Sequence, residues 1–182
     1  RVFLRETDRT YDVVVLDAFR STQVPYHLTT VEYMRLVRDR LDDDGVLVAN
    51  IISSTDGADS AYYRAQFKTM AAVFPQVYSF PTRDASGLQN IELLATVDDD
   101  PLSEPTLLAR NRNRSIGLDL AAEIGRLTRA VETDDAPLLT DDYAPVDSLL
   151  ASQVDQTYVP ERIANESSRT PSPTPSPTQT PG

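Results

Sequence analysis

Asp17 closes a run of aliphatic, mostly β-branched residues, Tyr11-Asp12-Val13-Val14-Val15-Leu16-Asp17. A carboxylate at the last position of a buried strand is costly unless something uses it. It can accept a proton as a general base, or hold a cationic substrate as a counter-ion. A structural role is the alternative, with Asp17 capping the following loop by accepting backbone N–H bonds. That loop, Ala18 to Leu28, carries Tyr26 and His27, and His27 is the only histidine in the chain. A single imidazole argues against a histidine-rich metal site and against a Ser-His-Asp triad. The chain has no cysteine, which excludes disulfides, thiolate metal sites and cysteine nucleophiles.

The elements that must position these residues alternate in kind. Tyr11–Asp17 reads as a strand, and its continuous apolar run predicts burial on both faces of a parallel sheet. Thr29-Thr30-Val31-Glu32 opens a helix as a capping box, with Thr29 reaching forward and Glu32 back. Met34, Val37 and Leu41 follow at helical spacing, and Asp42-Asp43-Asp44-Gly45 stops the helix. Val46–Ile52, which carries Asn50, is a second buried strand, followed by a polar loop from Ser53 to Asp59. A helix then runs to Phe74 with Tyr63, Phe67, Met70 and Phe74 on one stripe, ended by Pro75. Short strands at Gln76–Phe80 and Ile91–Val97 are expected to close an antiparallel pair. Leu118–Val131 reads as an amphipathic helix, and Pro145 suits the first turn of a last short one. Arg1–Glu6 reads as a helical turn. The order is that of an α/β fold with a partly parallel sheet.

Composition narrows the partners. Among 182 residues, 28 are acidic and 17 basic, a formal charge of −11, and Lys68 is the only lysine. Such acidity argues against nucleic acid or an anionic membrane surface and leaves cationic ligands open. Molar salt screens this self-repulsion, so a high-salt cytoplasm is the expected setting. No apolar run approaches the ~20 residues that a membrane span needs. No Gly-x-Gly occurs anywhere, although α/β nucleotide-binding folds usually place a glycine-rich turn after their first strand. Nothing N-terminal is available to pair with the Tyr11 strand, whose edge would stand open. The expectation is a fragment, with residues 1–165 forming the C-terminal part of a domain. An N-terminal continuation of the same protein, or a second copy in a homodimer, would cover the edge. Residues 166–182, rich in Pro, Ser and Thr, are expected to be a disordered tail.

Two stretches in order carry a family resemblance. Tyr-Asp-Val-Val-Val-Leu-Asp-Ala-Phe with Val-Pro-Tyr-His-Leu-Thr-Thr, and Leu-Leu-Thr-Asp-Asp-Tyr-Ala-Pro-Val-Asp ending at Asp147, resemble the spermidine synthases. The nearest likeness is to the branch of these polyamine aminopropyltransferases also found fused to transporter-like membrane domains. The resemblance covers roughly Arg1 to Leu150. It implies a class I methyltransferase-like (Rossmann-like) sheet, of which only the C-terminal part lies here, with an antiparallel strand pair near the end. It implies aminopropyl transfer from decarboxylated S-adenosylmethionine to a small-molecule amine, with no metal and no permanently bound cofactor. Asp17 then takes the general-base role and Ala18 lies at the nucleoside. Tyr26, His27, Asp142 and Tyr143 are candidate substrate contacts, with Asn50 beside them. For Asp141 to Tyr143 the structural alternative is a turn that places negative charge at the helix beginning at Pro145. The family's second aspartate, a few residues after the first, is absent; Arg20 and Ser21 stand there. The family's nucleoside-binding motifs would precede Arg1, so the isolated chain is expected to be inactive. Two alternatives remain: a methyltransferase of the same fold, and a non-catalytic soluble domain of a transporter-fused protein.

Overall fold

A computed structural model of the chain describes residues 1–18, 24–83, 86–113 and 120–153. The expected tail, Arg20, Ser21, Asp84 and Ala85 fall outside them. The elements are α1 (Val2–Glu6), β1 (Tyr11–Leu16), α2 (Val31–Arg38), β2 (Leu41–Ser53), α3 (Ala61–Ala71), β3 (Gln76–Pro81), β4 (Gln89–Thr96), α4 (Glu104–Asn113), α5 (Ala121–Gly125) and α6 (Val146–Leu149).

The four strands form one sheet in the order β1-β2-β4-β3. β1 runs parallel to β2, with Leu16 opposite Ala49. β4 is antiparallel to both β2 and β3, so the last strand in sequence is inserted between two earlier ones. A parallel pair joined to an antiparallel pair is the architecture expected for the C-terminal part of a class I methyltransferase-like sheet.

Alternation along the strands divides the sheet into two unlike faces. On one, Leu47, Ala49 and Ile51 of β2 and Ile91, Leu93 and Ala95 of β4 are fully buried. They pack with Met34 and Val37 of α2 and with Phe67 and Met70 of α3 in a single apolar core. Burying each large side chain there contributes about 1.5–3 kcal/mol. The other face is covered at the β3 end, where Arg129 lies 5.4 Å over the buried Tyr78 ring. The backbone N–H of Leu102 donates to the same tyrosine hydroxyl at 2.7 Å. At the β1 end that face is open.

This overturns the expectation that the Tyr11 strand is buried on both sides. Val13 is 51% and Val15 66% exposed, because β1 is an edge strand and no described element packs over its outer face. The helix start also differs. Thr30, not Thr29, is the N-cap of α2 and accepts the Tyr33 N–H at 3.3 Å. Glu32 turns away to accept the backbone N–H of Asp141 at 2.9 Å. A distant loop supplies that partner because the Val31 N–H is bonded to the Leu139 carbonyl at 2.8 Å, which holds the loop over the helix N-terminus.

α2 ends at Arg38 and β2 already begins at Leu41, so the three aspartates lie on an irregular strand entry instead of a helix stop. The register shifts there, from Tyr11 opposite Leu41 to Val13 opposite Val46. The predicted Leu118–Val131 helix shrinks to α5 among the described residues. Thr128 is extended instead, exchanging two backbone hydrogen bonds with Ser79 at 2.9 and 3.0 Å along the free edge of β3. Helix α4 was not anticipated. It buries no residue, so it left no hydrophobic stripe to read.

Candidate functional site

Asp17 follows Leu16, the last residue of β1, and the parallel register sets it beside Asn50 of β2. The Asn50 amide Nδ2 donates to Asp17 Oδ1 at 3.1 Å. On the other side of Asn50, the antiparallel ladder places Glu92 of β4 directly opposite. Direct cross-strand partners share a face, so Asp17, Asn50 and Glu92 form one row across the sheet on its less covered side. Asp17 is exposed and Glu92 half-buried.

The electrostatics of the row are unfavourable without a cation. Burial pushes the Glu92 carboxyl above its ordinary value, and the negative charge of Asp17 pushes it further. The Asn50 Oδ1 is shielded from solvent and has no hydrogen-bond partner among the described residues. Its neighbours in the row are carboxylates, which when ionised can only accept. The row therefore presents acceptors and negative charge, the complement of a protonated amine.

A second cluster gathers the two sequence motifs. The Arg1 guanidinium donates to the His27 carbonyl at 3.0 Å and to Asp141 Oδ1 at 2.8 Å. Asp141 also accepts the Thr30 hydroxyl at 2.7 Å. Hydrogen bonding from Arg1, with a smaller share from Thr30, holds the Asp141 carboxyl below the usual aspartate range. Tyr26 and His27 sit on a short 3₁₀ turn, edge to face at 5.7 Å. Both are exposed, as are Asp142, Tyr143 and Ala18. Residues Thr140 to Tyr143 close a turn, with the Tyr143 N–H donating to the Thr140 carbonyl at 3.1 Å. So the structure unites Tyr26, His27 and the Asp-Asp-Tyr motif around Arg1, and Asp17, Asn50 and Glu92 on the sheet. Asp141, not Asp142, is the aspartate held by partners. Glu92 was missed by the sequence reading, although a lone acid in the apolar run Ile91-Glu92-Leu93-Leu94 was a usable signal.

Among the described residues no group of three His, Cys, Asp or Glu side chains is placed to hold a metal ion. A separate cavity of about 330 Å³ is lined by Arg64, Arg83, Arg126 and Tyr63, and by none of the candidate residues. Its arginines are engaged: Arg64 with Asp135, Arg126 with the Pro81 carbonyl at 3.0 Å, and Arg83 with the Leu88 carbonyl at 2.6 Å.

The mixed sheet, with helices packed on its buried face, makes this an α/β protein. No protein-family model matches the chain. It is 27% identical over 175 residues to a "Probable polyamine aminopropyl transferase" of Bifidobacterium longum (strain NCC 2705), covering 88% of this chain and 39% of that protein. It is 28% identical over 142 residues to a "Polyamine aminopropyltransferase" of Vibrio vulnificus (strain CMCP6), covering 76% of this chain and 46% of that one. A crystal structure of a probable spermidine synthase from Corynebacterium glutamicum ATCC 13032 aligns with a TM-score of 0.48 and 20% identity, over 60% of this chain and 41% of that chain. The chain is thus similar to two proteins named as polyamine aminopropyltransferases. It spans less than half the length of the curated relatives it matches.

Proposed function

We propose that the chain supplies the amine-binding part of an aminopropyltransferase that uses decarboxylated S-adenosylmethionine. The observation that carries this reading is the strand-end carboxylate Asp17, held by Asn50, in a chain similar over most of its length to two proteins named as polyamine aminopropyltransferases. An ammonium has no free electron pair, so the acceptor must first lose a proton. Asp17 accepts it. The freed nitrogen attacks the methylene beside the sulfonium, the new C–N bond forms as the C–S bond breaks, and methylthioadenosine leaves with the electron pair. The sulfonium is already an activated leaving group, so orientation of the two reactants supplies much of the remaining acceleration.

Asn50 fixes the carboxylate through its 3.1 Å hydrogen bond. Tyr26, His27, Asp142 and Tyr143 are proposed to wall the acceptor, and Ala18 to lie at the nucleoside. The short match to the relatives supports a further proposal, that residues outside this chain hold most of the nucleoside. The setting proposed is a high-salt cytoplasm. Among the described residues no helix is long and apolar enough to cross a membrane.

The test is release of methylthioadenosine by the full-length protein, supplied with decarboxylated S-adenosylmethionine and a panel of amines at high salt. Product is expected with at least one diamine. Asp17→Asn should lower kcat by about 10²–10⁴-fold, the range for losing a general base, with the fold intact by circular dichroism. Absence of methylthioadenosine with every amine would falsify the reading. S-adenosylhomocysteine formed from S-adenosylmethionine would move the activity to methyl transfer, and neither product would point to a binding domain.

A further inference from the structure

We infer that Glu92 is a specificity-determining residue, the second anionic contact of the amine, which selects a diamine over a monoamine. This rests on the amine-acceptor reading above.

Three observations converge on it. First, the ladder puts Glu92 opposite Asn50, and Asn50 bonds Asp17, so two carboxylates flank one amide on a single face. Asp17 and Glu92 lie two strand spacings apart, about 10 Å between backbones, and their side chains shorten that gap. A short alkyl chain can then put one ammonium on each. Second, the Asn50 Oδ1 between them is shielded from solvent without a partner among the described residues. Neither ionised carboxylate can donate to it, so the partner that fits must bring N–H groups. Third, Glu92 is a poor residue for stability. Burial and the charge of Asp17 both disfavour its carboxylate, whereas a neighbouring leucine would simply pack. An acid in that position weakens the fold unless a cation is held there.

The sign of the stability effect separates this role from a structural one. A carboxyl raised in the folded state lowers stability at pH values above its unfolded pKa, and the penalty fades as pH falls below the folded value. Glu92→Gln should therefore melt no lower than the wild type at pH 7.5 and match it in acid. A glutamate that served the fold would show a clear loss instead.

The experiment uses the full-length protein. Steady-state kinetics with 1,4-diaminobutane and butylamine give the ratio of the two kcat/KM values, expected to fall at least tenfold in Glu92→Gln, chiefly through KM for the diamine. In parallel, thermal melts with each amine and no nucleoside are expected to show a diamine-specific upward shift in the wild type, absent from Glu92→Gln. Should Glu92→Gln not fold, Glu92→Leu suits a half-buried strand position and removes the same charge. An unchanged ratio, or an unchanged diamine shift, overturns the role of Glu92. A wild type that shifts with diamine but yields no methylthioadenosine overturns the transferase reading alone and leaves the role of Glu92 standing.

Discussion

Asp141, within a stretch read either as a substrate contact or as a turn, acts structurally as a clasp. It lies in a motif of two acids and a tyrosine, yet its carboxylate is occupied by Arg1 and Thr30 while its backbone N–H goes to Glu32. Five hydrogen bonds, two of them between Arg1 and Asp141 and one from Arg1 to the His27 carbonyl, tie residues 1, 27, 30, 32 and 141 into one knot. Because the Asp141 carboxyl is held low in the folded state, it contributes stability above the unfolded aspartate pKa of about 3.9. That contribution is lost as pH falls through the lower folded value. Asp141→Asn should cost about 1 kcal/mol at pH 7, modest because the pair is partly exposed and screened. Urea melts at pH 7 and again well below pH 3 check this: the gap between variant and wild type should close in acid. Asp17 was legible as a candidate carboxylate from its position at a strand end. Glu92 left only the signal of an acid in an apolar run; its place beside Asn50 was not legible, because that depends on which strand sits next to β2, and the neighbour comes from about forty residues further along the chain.

Among the elements, β2 is the one on which the site depends, and its entry is unusually tight. A Cβ at Gly45 would sit 2.8 Å from both the Asp42 carbonyl oxygen and the Leu41 Cβ. Backbone cannot move aside cheaply, so Gly45→Ala should destabilise by roughly 1–3 kcal/mol, the range for forced overpacking. Equilibrium urea unfolding would measure it, and a loss below a few tenths would mean that the strand entry relaxes. The same irregular entry explains a misreading. Asp42-Asp43-Asp44-Gly45 carries the composition of a helix stop, but α2 had already ended at Arg38. Buried strands and α3 were legible because apolar residues recur at their own periods. Edge exposure at Val13 and Val15 was not, since a β-branched run looks alike whether one face or both are covered.

On the scale of the whole molecule, a charge of −11 sits on a chain with one lysine. Self-repulsion of this kind is screened by salt. The melting temperature should climb by several degrees between 0.1 and 2 M NaCl, as read by calorimetry, and a fall would remove the case for a saline setting. The placement of β4 has a consequence for how the protein is made. Synthesis delivers β2 and β3 first, but in the finished sheet they do not touch; each waits for a strand that ends at Thr96. Until that residue has left the ribosome, both nascent strands carry unsatisfied edges, and the Asn50–Glu92 pairing cannot exist. Assembly of the Asp17-Asn50-Glu92 row is therefore a late event in biosynthesis, and a ribosome stalled before Gln89 would hold a chain that exposes sticky β-structure and lacks the Glu92 carboxylate.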